Sequence, residues 1–162
     1  MSRRVLVASL AAFVVAVAGT VVLARAVVGG SEPRDDPAAF VTKIVGFIVA
    51  DDYPSAWSSL YPAHQQIALE NEYVDCELQR PVSSTLDSIS VLRVRDRKLH
   101  IPGEAGRVEA KAVTLRIELE NSIGAKESFR HTFNAVPNGS HWSWILTPSR
   151  YQLYRDDACG VT

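Results

Sequence analysis

The sequence predicts an α+β fold in which helices pack on a bent antiparallel sheet, behind an N-terminal transmembrane or signal helix. Three observations carry this prediction. The first segment is apolar without interruption, the next half-chain repeats apolar residues at helical spacing, and the last half alternates apolar and polar residues between turn signals. We expect one domain, because 162 residues leave room for little more once a targeting segment is set aside.

The N-terminal segment has the pattern of an export signal or a membrane anchor. Arg3 and Arg4 precede an uncharged stretch from 5 to 24, which is long enough to span a hydrocarbon core of about 30 Å. Basic residues in front predict a domain outside the membrane. An uncleaved anchor, cleavage near Ala26 after Ala24-Arg25-Ala26, and twin-arginine export are all open, and each places the domain outside.

This reading divides the chain into three parts. Residues 1–28 form the signal anchor or signal peptide, and the polar, Gly/Pro-punctuated residues 29–36 form a linker. Residues 37–162 form the domain. We expect a single-pass cell-membrane protein with its C-terminal domain outside, or a secreted protein if the signal is removed.

Helices open the domain. Asp36-Pro37 is a helix start, with Asp as N-cap and Pro at the first helical position, and apolar residues at helical spacing follow until Asp51-Asp52. A short helix is predicted from Pro54 to Leu60, and Pro62 opens a third. A fourth runs from Glu72 to Leu78 and places Tyr73 and Cys76 on one side, before Arg80-Pro81 stops it.

Four strands are predicted next, over 89–95, 107–120, 126–136 and 141–147. The second strand changes the parity of its apolar residues between Ala112 and Val113, which predicts a β-bulge there. A three-residue loop over 122–124, with Gly124 in the left-handed region, pairs Leu115 with His131 and keeps one apolar face.

The Asn138-Gly139 dipeptide predicts a two-residue hairpin turn that pairs Phe133 with Trp144 and Ala135 with Trp142. The two registers together define one face for the helices to cover. That face contains Val113, Leu115, Ile117, Leu119, Phe129, His131, Phe133, Trp142, Trp144 and Leu146.

The only two cysteines are Cys76 and Cys159. In an exported chain, a lone pair of cysteines is most simply a disulfide. A free thiol or a metal site is the alternative, but the chain has no C-x-x-C motif and no His spaced with either Cys.

Composition and motifs argue against several functions. The net charge is −1 and no basic stripe exists, so nucleic acid is not an expected partner. The basic run from Arg93 to Lys98 is interpreted as the solvated edge of a strand rather than an anion site. No metal-ligand spacing, nucleophile elbow, phosphate loop or dinucleotide fingerprint is found, so neither a metal nor a cofactor is expected.

His131 is the residue that the pattern singles out, because it lies in the middle of the apolar face. Burial would lower its pKa and keep it neutral, either as a hydrogen-bonded core histidine or as a pocket acid–base group. Trp57, Tyr73 and Trp144 are the other candidates to line a pocket, with core packing as the alternative for the tryptophans. The turn carboxylates Asp51, Asp52 and Asp87 have structural explanations.

The order of elements and three short stretches resemble the nuclear transport factor 2-like superfamily, a cystatin-like cone that includes ketosteroid isomerase-like and polyketide cyclase-like proteins. The similarity covers about residues 37–150 and looks like that of exported bacterial members without known activity. The stretches that carry it are 52–65, 72–76 and 138–146, read as DYPSAWSSLYPAHQ, EYVDC and NGSHWSWIL.

The resemblance implies a curved sheet covered by helices and enclosing a pocket, often with a homodimer formed across the sheet. It does not imply catalysis, because one fold hosts many functions. The leading hypothesis is a non-catalytic envelope domain that binds a small apolar ligand or serves a membrane protein complex. The alternative is an enzyme of the ketosteroid isomerase or polyketide cyclase type that uses His131 with a loop Asp.

Overall fold

A computed structural model describes residues 35–159 and confirms an α+β architecture with helices and a four-stranded antiparallel sheet. The strands lie in the order β1-β2-β3-β4, so each strand pairs with its neighbour in sequence. The elements are α1 (Pro37–Val49), α2 (Tyr53–Ser58), α3 (Pro62–Ile67), α4 (Glu70–Leu78), β1 (Ser84–Leu99), β2 (Val108–Asn121), β3 (Lys126–Asn138), β4 (His141–Trp144) and α5 (Pro148–Arg155).

The predicted signal or anchor segment, residues 1–28, and most of the linker lie outside the described residues. Within residues 35–159, no helix is both long and apolar enough to cross a membrane.

The helix starts follow the predicted capping chemistry. The Asp36 carboxylate accepts a hydrogen bond from the Ala38 N–H at 3.0 Å, with Pro37 at the first helical position. Asp52 caps α2 in the same way, so that helix begins at Tyr53. The helix α5 was not predicted, although Thr147 and Pro148 repeat the same cap-and-proline signal. The last strand therefore ends at Trp144, not at Thr147.

The register between β2 and β3 confirms the predicted one. Leu115 pairs with His131, and pairing is continuous from Lys111 to Glu120. Gly124 has φ +78° in the three-residue loop, a conformation that favours glycine.

The register between β3 and β4 differs from the predicted one by two residues. Trp144 pairs with Ala135 rather than with Phe133, because Gly139 and Ser140 form the turn and Asn138 pairs with His141. Gly139 has φ +61° at the first turn position. A shift of two residues keeps every side chain on its predicted face, since side chains alternate with period two.

The bulge predicted in β2 was wrong. Pairing of β2 with β3 is uninterrupted there, and the irregularities lie in β1, where Asp87 and Leu92 are the extra residues. The parity of apolar residues changes because both faces of β2 are buried near this point. Ala110 packs against Leu99 and Ile101 on one face, and Val113 packs under α1 on the other.

The core has two main parts. The helix α1 covers the sheet through Val41 and Val45, which pack on β2. The other helices surround Tyr73 and Trp144, whose rings meet edge to face with centroids 6.4 Å apart. The predicted covered face is buried along β2 and around the tryptophans, but Phe129 on β3 is 40% exposed.

The predicted disulfide is present between Cys76 on α4 and Cys159, with Cα atoms 5.5 Å apart. It ties the segment after α5 to the helical half of the domain.

Candidate functional site

The candidate site is a cavity at the open edge of β3, which we name the main cavity. Because β4 pairs only with residues 135–138 of β3, the preceding residues of β3 have a strand partner on the β2 side alone. A cavity of about 380 Å³ occupies this edge. Its walls come from α4, the end of β1 with the following loop, residues 131–134 of β3, and the segment from Trp144 to Arg150.

A second, smaller cavity of about 200 Å³ adjoins the first. The two cavities share Ile48, His131 and Phe133 as lining residues, so they meet at this point of β3. Apart from His131, every residue that lines the smaller cavity is apolar. The combined space therefore has a polar part at the β3 edge and an apolar part between α1 and the sheet.

The structure brings three of the four predicted pocket residues together. Tyr73, His131 and Trp144 line the main cavity, whereas Trp57 does not. The Trp57 indole donates to the Ala68 carbonyl at 2.7 Å and packs beside the helical core. The Trp144 indole N–H donates to the Ala56 carbonyl at 2.7 Å, and the Trp144 side chain also forms part of the cavity wall.

His131 is not the buried core residue that its place on the apolar face predicted. It pairs with Leu115 as expected, yet its side chain is exposed because the helices do not extend over this part of β3. Its ring packs edge to face on Phe133 with centroids 4.6 Å apart. His131 therefore stands at the junction of the two cavities, in contact with solvent.

The buried carboxylate of the cavity is Glu77, which sequence reasoning missed. Glu77 is 8% exposed and lies one helical turn after Tyr73 on α4. Its Oε1 accepts a hydrogen bond from the Tyr154 hydroxyl at 2.6 Å, and its Oε2 pairs with the Arg150 guanidinium. The spacing of four residues from Tyr73 on a predicted helix was the signal that could have found it.

This cluster keeps both tyrosines protonated. Burial raises the pKa of the Tyr73 hydroxyl, and the nearby Glu77 carboxylate adds to the effect. Burial also raises the pKa of Tyr154, reinforced by its hydrogen bond to Glu77. The Tyr154 hydroxyl therefore serves as a donor that fixes Glu77 rather than as a base.

His64 is the fully buried histidine among the described residues, and it holds two cavity walls in place. Its Nδ1 accepts from the Leu146 N–H at 3.0 Å, so the neutral ring carries its proton on Nε2, which donates to the Pro102 carbonyl at 3.1 Å. Burial lowers the pKa of His64. Leu146 and Pro102 both line the main cavity.

Other polar groups reach the cavity from the sheet and its loop. Arg97 and His100 line it from the end of β1, and the His100 ring is oriented by a hydrogen bond of 2.9 Å to the Gly106 carbonyl. Asn134 lines it from β3, and its Oδ1 is buried and has no hydrogen-bond partner among the described residues. An orphaned buried amide is costly unless a water or ligand satisfies it.

The three turn carboxylates lie elsewhere. Asp51 accepts from the Tyr53 hydroxyl at 2.7 Å, Asp52 caps α2, and Asp87 pairs with Lys126 at 2.7 Å. No Asp is among the described residues that line the main cavity. In the part of the chain that is described, no three His, Cys, Asp or Glu side chains gather closely enough to hold a metal ion.

The comparisons give no family assignment. No protein-family model matches the chain, and no curated protein matches it.

Proposed function

We propose that this chain is a non-catalytic protein of the cell envelope whose exported domain binds a small, largely apolar molecule in the cavity at the β3 edge. The observation that carries the proposal is the cavity itself. A volume of about 380 Å³ with mostly apolar walls and a few convergent polar groups is typical of small-molecule sites.

The carboxylates considered as catalytic bases are already held in hydrogen bonds or ion pairs, which supports ligand binding rather than catalysis. Both oxygens of Glu77 are occupied by Tyr154 and Arg150. The alternative enzyme of the ketosteroid isomerase or polyketide cyclase type needs a free carboxylate base near His131. The Asp residues considered for that role cap a helix, bond Tyr53 or pair with Lys126.

We also propose that the domain is a nuclear transport factor 2-like cone. The order of four helices followed by a four-stranded antiparallel meander supports this assignment, as do the two irregularities in β1, which add local bending to a long strand. In that family a homodimer often forms across the sheet. Partly exposed apolar side chains on β1, such as Val91 and Val94, are compatible with a partner at this edge.

The proposed location is the outer face of the cell membrane. The basic Arg3 and Arg4 before the apolar stretch support anchoring with the domain outside, or secretion after cleavage near Ala26. The disulfide fits an oxidising compartment. At this location the domain could bind a partner protein instead of a small molecule, so the second candidate function is that of an accessory to a membrane protein complex.

Extraction of bound molecules tests the proposal. The full chain is purified from membranes in mild detergent, precipitated with organic solvent, and the supernatant is analysed by mass spectrometry against a mock purification. A small molecule enriched at about one equivalent supports the ligand-binding function. A supernatant identical to the mock, together with stoichiometric copurification of another protein, would favour the accessory role instead.

A further inference from the structure

We infer that the ligand of the β3-edge cavity is a small amphipathic anion, a molecule with an apolar chain and one carboxylate or comparable negative headgroup. This inference rests on the proposed ligand-binding function and names the chemical class of the ligand. It follows from the distribution of charge and of apolar surface over the two adjoining cavities.

The charge of the main cavity is positive once the internal pairs are counted. Glu77 supplies the negative charge of the lining, and it is matched by Arg150. Arg97 adds a positive charge, and none of the ion pairs among residues 35–159 involves it. A cavity with one uncompensated guanidinium favours an anion, since Arg binds carboxylates through charge-assisted hydrogen bonds.

Arg97 differs in this respect from its neighbours on β1. Lys98 pairs with Glu109 at 2.8 Å and Asp96 pairs with Lys111 at 2.8 Å, so the flanking charges are satisfied on the other face of the strand. Arg97 alternates to the opposite face and lines the cavity. Arg97 is therefore exposed like the rest of this basic run, but it is the member of the run that lines the cavity.

Arg97 is the charged donor that the lining offers to an anionic headgroup, since the Arg150 guanidinium already pairs with Glu77. His100 lies in the same lining, where its Nδ1–H donates to the Gly106 carbonyl. Recognition of the headgroup therefore depends on Arg97.

The apolar chain of the ligand has its own compartment. The smaller cavity is lined by apolar side chains apart from His131 and meets the main cavity at Phe133. A molecule that lies across this junction places its headgroup beside Arg97 and its tail between α1 and the sheet. Burial of such a tail contributes roughly 0.8 kcal/mol for each methylene.

A matched pair of brominated probes tests this inference. The full chain in phosphatidylcholine nanodiscs is titrated with 11-bromoundecanoate and, separately, with 11-bromoundecan-1-ol, which has no charge. Bromine quenches tryptophan fluorescence at short range. Trp144 lines the main cavity and the N-terminal segment contains no Trp, so quenching reports binding in the domain.

We expect the carboxylate to quench at about tenfold lower concentration than the alcohol, the effect of one charge-assisted hydrogen bond. Arg97→Gln should abolish this preference. Arg95→Gln, on the same strand and face but outside the cavity lining, should retain it, and this control cancels differences in partition into lipid. Both residues are exposed, so both variants should unfold like the native chain.

Equal quenching by the two probes, or an unchanged preference in Arg97→Gln, would overturn the inference and leave ligand binding as proposed, with a neutral ligand. Absence of quenching by both probes would overturn the inference and the proposed function together.

Discussion

His64 contributes to stability as a neutral residue. Its ring is fully buried, and each nitrogen is used in a hydrogen bond to the backbone at a cavity wall. The unfolded chain exposes the ring to water, where it titrates near its ordinary pKa of about 6.5. Protonation therefore favours the unfolded state, and the contribution of His64 depends on pH.

The sign of this dependence follows from the lowered pKa of His64 in the folded protein. The stabilisation by the neutral His64 ring is fully present above pH of about 6.5. It declines as pH falls below that value, and it is lost once the pH has fallen past the lower pKa of the folded state. We expect the unfolding free energy to fall by up to about 1.4 kcal/mol per pH unit from this proton. Urea unfolding between pH 7.5 and pH 5 measures it.

His64→Gln serves as the test of that assignment. The variant should be less stable at pH 7.5 by roughly 1–3 kcal/mol, because buried backbone groups lose partners, and its decline toward pH 5 should be shallower than in the native chain. His131→Gln is the control for loss of an exposed histidine. A decline in His64→Gln as steep as in the native chain would contradict the assignment to His64.

We expect the hydroxyl of Tyr154 to stabilise the folded protein through its hydrogen bond to Glu77. Tyr154→Phe removes the donor to Glu77 Oε1 and leaves a buried carboxylate oxygen without that bond. We expect a loss of about 1–3 kcal/mol in unfolding free energy. Tyr61→Phe is the matched control, since no hydrogen bond from the Tyr61 hydroxyl is found among the described residues. Equal effects of the two substitutions would argue against the Glu77–Tyr154 contact.

The two histidines show what a sequence pattern can and cannot predict for single residues. Strand parity correctly placed His131 on the face of Leu115, but parity says nothing about how far the helices extend over that face. His64 lies on the six-residue helix α3, which is too short for its periodicity to mark a buried side. Burial of a single residue depended on tertiary packing that no local pattern contains.

At the scale of elements, the β3–β4 hairpin depends on the left-handed backbone of Gly139. Gly139→Ala should destabilise the protein by about 1 kcal/mol, since a Cβ is unfavourable at φ +61°. Gly46→Ala in α1 is a control of opposite sign. No atom lies within 4 Å of a Cβ at Gly46, and alanine should stabilise the helix by about 0.5–1 kcal/mol.

Thermal unfolding followed by circular dichroism measures both glycine variants. Stabilisation by Gly139→Ala would contradict the turn geometry, because it would mean that the native backbone there suits an ordinary residue.

The elements themselves were largely predictable, and the exceptions have physical causes. Asp36-Pro37 and Pro62 located helix starts, and Gly124 selected the β2–β3 register. The hairpin register was wrong by two residues because Asn138-Gly139 and Gly139-Ser140 are both acceptable two-residue turns. The cavity depends on that difference and on the early end of β4, so its position at the β3 edge was not predictable from alternation.

The helix α5 is held to α4 by the disulfide and by Glu77. The two cysteines are 83 residues apart, and closure of so long a loop contributes about 4 kcal/mol on the chain-entropy account, often less in practice. We expect Cys76→Ser with Cys159→Ser to lower the unfolding free energy by about 2–4 kcal/mol. Urea unfolding with and without reductant measures this.

Reductant should destabilise the native chain and leave the double variant unchanged. A native chain that is insensitive to a reductant strong enough to open the bond, as verified by thiol labelling, would contradict a stabilising role for the disulfide.

At the scale of the whole molecule, the cavity exists because the sheet is wider than the layer that covers it. The helix α1 buries β2, and β4 protects only the end of β3, so Phe133 and its neighbours stay open beside the helical core. The walls are fixed by His64, Glu77 and the disulfide, which belong to α3, to α4 and to the segment after α5. We therefore propose that the cavity is a preformed ligand site.

Native mass spectrometry of the full chain, released from detergent in the instrument, tests that claim most directly. We expect the native chain to carry one additional small-molecule mass, and we expect that mass to be lost in Phe133→Trp, which adds bulk where the two cavities meet. Ile123→Trp, in the β2–β3 loop at a position that is 86% exposed and lines neither cavity, is the control for an added indole. A bare chain mass in the native protein, or an adduct equally retained in Phe133→Trp, would contradict it.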